Sequence, residues 1–436
     1  MKFAALVVAL CACSKTPPAP EPRLITDEEI AAKEAALKAR ITAPINCKRP
    51  VLRGTATPGE ADLYPLIAGT DECSKEVAAI GKGDLREAVK AGAPDALAWD
   101  AKCGVQLATQ VSTLVAYEGA CSPLQLGGSH PDEEKAMMGQ LRIAHLLGQR
   151  ARIVGKTDVT AALWMLLDGI RVFQDLERGR TSLIHAMVSG AGKGILLVHA
   201  REMLSSGQPV LTDLPALIAA VDNLIATEPP MASILKFEGD TMAVTINKPG
   251  SPQGTGAHLA NPKEEAALMY YLAEANAADH AKACPPTASF LACKTGLVAL
   301  AKPAPELDGK DKVIGDLMRS LREAKNVEES RVLIRDKIVE ILRQMMPSAF
   351  AEYPEKRAEI LVRLASLRMH LEVLARAQCP TAAELDAPPW RTMREPALLG
   401  DAVRATIEGA SIKLESPTWF TRKNEAWTIP CPAPRK

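Results

Sequence analysis

The stretch from Met137 to Phe173, MMGQLRIAHLLGQRARIVGKTDVTAALWMLLDGIRVF, decides the fold class. Met137, Leu141, Ala144, Leu147, Ala151 and Val154 recur at three and four, and so do Val159, Leu163, Leu166, Ile170 and Phe173. That spacing places each set along one stripe of a helix. Gly155 closes the first helix, and Thr157 or Asp158 caps the second. So short a connection forces the two to pack antiparallel. The chain is therefore expected to be mainly α, built of antiparallel helical hairpins.

A third helix is predicted from Thr181, with Ile184, Met187, Ala191, Ile195 and Val198 on one face. Gly190, Gly192 and Gly194 within it each cost about 1 kcal/mol relative to alanine. Close approach to a neighbouring helix would offset that cost, and a kink or break is the alternative. A fourth helix is expected from about Asp213 to Ala226. Residues 229–262 hold prolines, glycines and the β-like run Met242-Ala243-Val244-Thr245-Ile246, which predicts a loop or small hairpin dividing the body.

Further helices are expected at 263–283, 289–301, 311–324, 327–345 and 355–377. Asn326 with Glu329 forms a capping-box pattern, and Pro354 suits a first helical turn. In the last sixty residues the pattern changes to short strands at 403–407, 411–414 and 419–429, with turns at Glu408-Gly409 and Lys423-Asn424. Upstream, Thr26 caps an acid-started helix, and the proline-broken segment 44–81 reads as irregular and disulfide-held. Helices resume near Asp84. The expected organisation is a signal at 1–12, a tether at 13–25, a helical region at 26–228, the loop or hairpin at 229–262, helices at 263–378 and a small β-containing unit at 379–436.

The first thirteen residues carry the expected address. Lys2, the ten apolar residues Phe3 to Ala12, and Cys13 make a secretory signal pattern. Ten residues span roughly 15 Å as a helix, whereas a bilayer core needs about 20 residues. The order Leu10-Cys11-Ala12-Cys13 resembles the lipobox of bacterial lipoproteins. The resemblance implies cleavage before Cys13 and lipidation of that cysteine with a diacylglycerol and an N-acyl chain such as palmitate. Several chains give stable anchoring. The run Ser14 to Pro22 is too rich in proline for a helix and would act as an extended spacer, holding the body roughly 30 Å from the membrane at about 3.1 Å per residue.

Lys plus Arg and Asp plus Glu both number 52. Such balance argues against nucleic acid as a main partner. Eight cysteines lie beyond the lipobox: Cys47, Cys73, Cys103, Cys121, Cys284, Cys293, Cys379 and Cys431. An even number in an exported chain reads as disulfides. Eight cysteines allow 105 pairings, among which the sequence does not choose; pairing sequence neighbours gives the expectation of 47 with 73, 103 with 121, 284 with 293 and 379 with 431. With no Cys-x-x-Cys pair in the body, no metal and no cofactor are expected.

Two wider resemblances bear on architecture. Leu147-Gly148, Gly155, Ala161-Ala162 and Trp164 resemble one tetratricopeptide unit, with no second copy at a period of 34. Gly155-Lys156-Thr157-Asp158, Ala161-Ala162-Leu163, Arg171 and Thr181-Ser182-Leu183-Ile184 resemble a group of uncharacterised bacterial envelope proteins. That resemblance implies a helical body with a pseudopilin-like tail, and no activity.

The sequence holds little recognisable catalytic chemistry. Gly155-Lys156-Thr157 lacks a glycine at phosphate-loop spacing, and Gly190-Ala191-Gly192-Lys193-Gly194 has Met187 where the first glycine belongs. His185 and His199 share a helix face about 21 Å apart, too far for one metal, and His145 is expected to pack near Trp164. Glu264-Glu265 ahead of Tyr270-Tyr271 reads as acids stabilising a helix N-terminus. Trp390, Trp419 and Trp427 are either a contact surface or the core of the small sheet. The expectation is a membrane-tethered envelope protein, on the periplasmic side of the outer membrane, acting as a non-catalytic scaffold or binding module for another envelope protein. A periplasmic hydrolase with scattered residues and a pilus or secretion accessory are the alternatives.

Overall fold

The structure is a computed structural model. It describes residues 23–432 apart from 70–72, 74, 76–84, 122–132, 180, 206–208, 247–261, 301–315, 317–318, 340–351, 417 and 420–425. The signal, lipobox and most of the tether lie outside the described residues, as does the Lys423-Asn424 turn.

The chain is mainly helical with a three-stranded antiparallel sheet near its C-terminus. Helix α1 (Asp27–Thr42) begins on Thr26, whose hydroxyl accepts from the Glu29 amide while Glu29 reaches back to the Thr26 amide. Then come strand β1 (Thr57–Ala61), α2 (Tyr64–Ala68), α3 (Leu85–Ala91) and α4 (Pro94–Trp99). A π-helical turn at Asp100–Gly104 leads into α5 (Val105–Val115), and strand β2 (Tyr117–Ala120) pairs parallel with β1.

The hairpin follows as α6 (Glu133–Val154) and α7 (Val159–Leu176), continued by α8 (Leu183–Ser205) and α9 (Leu214–Ala226). Asp158, not Thr157, caps α7: its carboxylate accepts from the Ala161 amide at 2.9 Å. The buried positions of α6 include Ala144, Leu147 and Ala151, and nearly all of α7 is buried. Helices α6, α7 and α8 pack mutually. Gly192 makes the closest approach possible, because a Cβ there would lie 2.5 Å from the Phe173 ring. At Gly190 no described neighbour lies within 4 Å of where a Cβ would stand, and nothing among the described residues explains the glycine.

Helix α8 corrects the predicted face. Ile184 and Met187 are 55% and 44% exposed, and Ala191 is also exposed, while Lys193 is fully buried. The reason is a closed set of four charges. The Lys193 ammonium donates to Glu177 at 2.8 Å and to Glu228 at 2.6 Å, and the Arg357 guanidinium reaches Glu177 and, at 2.7 Å, Glu228. Gln174 donates a further bond to Glu228 at 2.6 Å. Burial pushes the Glu228 carboxyl up, but Arg357 and Lys193 outweigh it and hold its pKa below the usual carboxylate range. Among described residues α8 alone is long and apolar enough to cross a membrane; the buried lysine instead ties it to α7, the segment after α9 and the helix bearing Arg357.

Residues 231–246 form α10 (Met231–Ile246), so the β-like run Met242–Ile246 is helical and no hairpin forms there. A short apolar run has weak β preference that helical packing overrides. Then come α11 (Pro262–Ala283), α12 (Phe290–Leu300), α13 (Val327–Leu333) with a π-helical turn at Ile334–Ile338, and α14 (Tyr353–Arg376). Asn326 caps α13 as expected, accepting from the Glu329 amide at 2.8 Å, and Pro354 lies in the first turn of α14. Helix α1 packs on α11, with Ile25, Ile30, Ala266, Ala267 and Tyr270 in one small core. The main core runs from Leu52 to Ile429 and draws in α14, which packs on α8 and α9.

After the short α15 (Ala382–Leu385) and α16 (Trp390–Arg394), strands β3 (Arg404–Glu408), β4 (Ser411–Glu415) and β5 (Trp427–Pro430) form the sheet. Gly409 turns β3 into β4 at φ +59°, a left-handed conformation that suits glycine. Ile412 pairs with Ile429 and Leu414 with Trp427, placing all four side chains in the core. Trp390, Trp419 and Trp427 are all buried, which decides for core and against a contact surface. The Trp427 indole donates to Nδ1 of buried His370 at 3.2 Å, and burial lowers the His370 pKa to about 4.

The cysteine pairing is half corrected. Cys284 bonds Cys293 and Cys379 bonds Cys431, as expected. The other pairs exchange partners: Cys47 bonds Cys121, and Cys73 bonds Cys103. An antiparallel bridge between Lys48 and Gly119 brings Cys47 alongside the end of β2, as the bond from the Ala120 amide to the Cys47 carbonyl at 3.1 Å shows. His145 is exposed and so is not a core partner of Trp164.

Candidate functional site

A cleft of about 610 Å³ opens along α7. Asp158, Ala161, Met165 and Asp168 recur at three and four, so they line one stripe of that helix, with Trp164 beside them. The facing wall comes from α5 through Ala108, Thr109, Ser112 and Thr113. Thr212 and Asp213, just ahead of α9, close one end. The Thr212 amide donates to Thr160 at 3.0 Å and fixes that end to α7.

Arg53 crosses this wall from the bend after Leu52. Its Nη2 donates to Asp168 Oδ2 at 2.7 Å, and the guanidinium carbon lies 4.5 Å from the Trp164 ring centroid. Both contacts suit a cation, one by charge and one through the ring's negative face. Asp168 itself is only 2% exposed, and its Oδ1 has no hydrogen-bond partner among the described residues. Burial outweighs Arg53 and pushes the Asp168 carboxyl up to about 6. A carboxylate left half-satisfied in a cleft costs stability and marks a place where a donor would be welcome.

That cost gives a test. Folded Asp168 holds its proton to a higher pH than the unfolded chain, so its ionisation subtracts stability as pH rises through roughly 4 to 6. Asp168→Asn, which mimics the protonated form, should therefore leave stability near wild type at pH 4 and raise it by about 3 kcal/mol above pH 7. Urea unfolding at the two pH values checks this. A difference that does not change with pH would refute it.

Of the residues singled out in the sequence, Asp158, Ala161, Trp164 and Asp213 reach this cleft, Trp164 as the hairpin's aromatic and Asp158 as a cap. Arg53 and Asp168 were not read from the sequence, although Asp168 interrupts the apolar run Leu163-Trp164-Met165-Leu166-Leu167 before Gly169-Ile170. A charge in the middle of a buried helix was the available signal. Lys156 and Thr157 occupy the α6–α7 turn, where Lys156 bonds the Val89 carbonyl at 3.0 Å and Thr157 that of Val154 at 3.1 Å. His185 meets Ser182 and His199 accepts from Arg152, far from one another. Glu264 is buried in the first turn of α11. The eight cysteines are taken up in the four bridges, and Cys13 lies outside the described residues. Comparison with known proteins found no matching family model, no matching curated protein and no matching solved structure.

Proposed function

We propose that the chain is a lipid-anchored protein of the bacterial cell envelope with a non-catalytic, binding role, its anchor on Cys13 and its ligand taken in the cleft along α7. The observation that carries the binding role is the make-up of that cleft: one buried carboxylate, one arginine resting on a tryptophan, and a facing wall of hydroxyls. The carboxylate, the ring and the hydroxyls are recognition groups of the kind that fix a ligand's orientation. Four disulfides support residence in an oxidising compartment. Ile184 and Met187, apolar and exposed on adjacent turns of α8, support a further contact with an envelope protein.

The anchor has a direct test. Cys13→Ser should abolish labelling with palmitate and move the protein from the membrane to the soluble fraction. Full labelling with membrane retention would overturn the anchor. For the partner, intact lipoprotein isolated from membranes should bring down the same envelope protein in repeated preparations, and a chain that returns alone would overturn it.

A further inference from the structure

We infer that the cleft along α7 is a site for a linear polyamine, one of whose ammonium groups takes the place that the Arg53 guanidinium holds between the Trp164 ring and Asp168. The inference rests on the reading of the cleft as a binding site, and is independent of the anchor and of any protein partner.

Charge selects the ligand class. Among the described residues, Asp158, Asp168 and Asp213 line the cleft against the single cation Arg53, so the cleft attracts positive charge and repels anions. The length selects the shape. Asp158 and Asp168 stand ten residues apart on one stripe of α7, about 15 Å along its axis. Asp213 shares the Asp158 end through the Thr212 to Thr160 bond, and its side chain makes no cap to α9. Carboxylates at both ends of the cleft match a chain with a positive charge at each end. Between them, Thr109 and Thr113 donate their hydroxyl protons to helix carbonyls, at 2.9 Å each, and keep oxygen lone pairs for ligand N–H groups.

Arg53 marks the cation position and is free to leave it. Its side chain is 41% exposed and holds Asp168 through one nitrogen. Arg49, four residues earlier, shows what a locked arginine looks like here: 1% exposed, bonded to Asp175 through Nε and Nη2 and to the Tyr117 carbonyl. With Arg49 and buried Leu52 holding the backbone, the Arg53 side chain can swing out and the fold stays intact. Arg53 then acts as an internal competitor, and removing it should raise the apparent affinity.

Titration calorimetry of the detergent-solubilised full chain with spermine tests the inference. Wild type should bind; Asp168→Asn, an isosteric change expected to fold at least as stably, should weaken binding about tenfold or more. Arg53→Ala should tighten it several-fold. Putrescine, too short to reach both ends, should bind more weakly than spermine. Spermine affinity unchanged in both variants, or no binding to wild type and Arg53→Ala alike, would overturn the inference. Binding of inorganic phosphate that Arg53→Ala abolishes would overturn the assignment to cations. Binding of a lysine-rich peptide without binding of spermine would overturn the small-ligand assignment while leaving the cleft a binding site.

Discussion

Lys193→Met should destabilise the protein by about 3–5 kcal/mol, the cost of leaving a buried charge without its partner. Lys193, Glu177 and Glu228 are fully buried and Arg357 is 1% exposed, so water cannot replace the lost ammonium. In the variant two carboxylates face one guanidinium. Their mutual repulsion then raises one carboxyl pKa, where the intact set holds Glu228 low. The sign of the pH dependence follows. A raised folded pKa favours the protonated form, so the deficit should shrink as pH falls toward the carboxylate range and stand in full above it. Adding Glu228→Gln restores the balance of one cation to one anion, and the double variant should be more stable than Lys193→Met alone. Chemical unfolding across pH measures all three chains. A loss under 1 kcal/mol for Lys193→Met would show that the four charges do not hold the helices together.

Replacing Cys47 and Cys121 by serine should cost up to about 4.4 kcal/mol, from the loop entropy that the bridge removes from the unfolded chain. The bridge closes a separation of 74 residues, while Cys284–Cys293 closes only 9, for which the same relation gives about 2.6 kcal/mol. The two double-serine variants should thus rank in that order in thermal melts, with wild type above both. The first bridge also ties the start of the segment bearing Arg49 and Arg53 to the end of β2. Its loss should therefore loosen the Arg53 wall of the cleft, read as faster amide hydrogen exchange at residues 48–56. Equal losses from the two bridges would refute the ordering.

The helical hairpin was legible because its signals are local. Periodicity set the buried stripe of α6 and α7, Asp158 capped one helix, Thr26 with Glu29 capped another, and Asn326 began a third. The face of α8 was not legible. Its apolar side chains Ile184 and Met187 look like a core stripe, but Lys193 faces inward because Glu177, Glu228 and Arg357 wait there. Arg357 is 180 residues from Glu177, and no window on the sequence joins them. Met242–Ile246 failed for a different reason: β-branched residues in a short run carry a weak preference, which a continuous helix from Met231 overrides. The Cys47–Cys121 bridge depended on Lys48 meeting Gly119, a pairing with no local mark.

The sequence by itself determined the mainly α class, the caps and the small β unit at the C-terminus, since propensity, capping and short loops act between near neighbours. Only the tertiary structure decided which face of α8 is inside, which cysteines meet at the N-terminal end, and that Arg53 reaches Asp168 across 115 residues to make a cleft. Burial is the physical reason. A charge can be read as inward only once its partner is known, and the partners here come together only when the chain has folded.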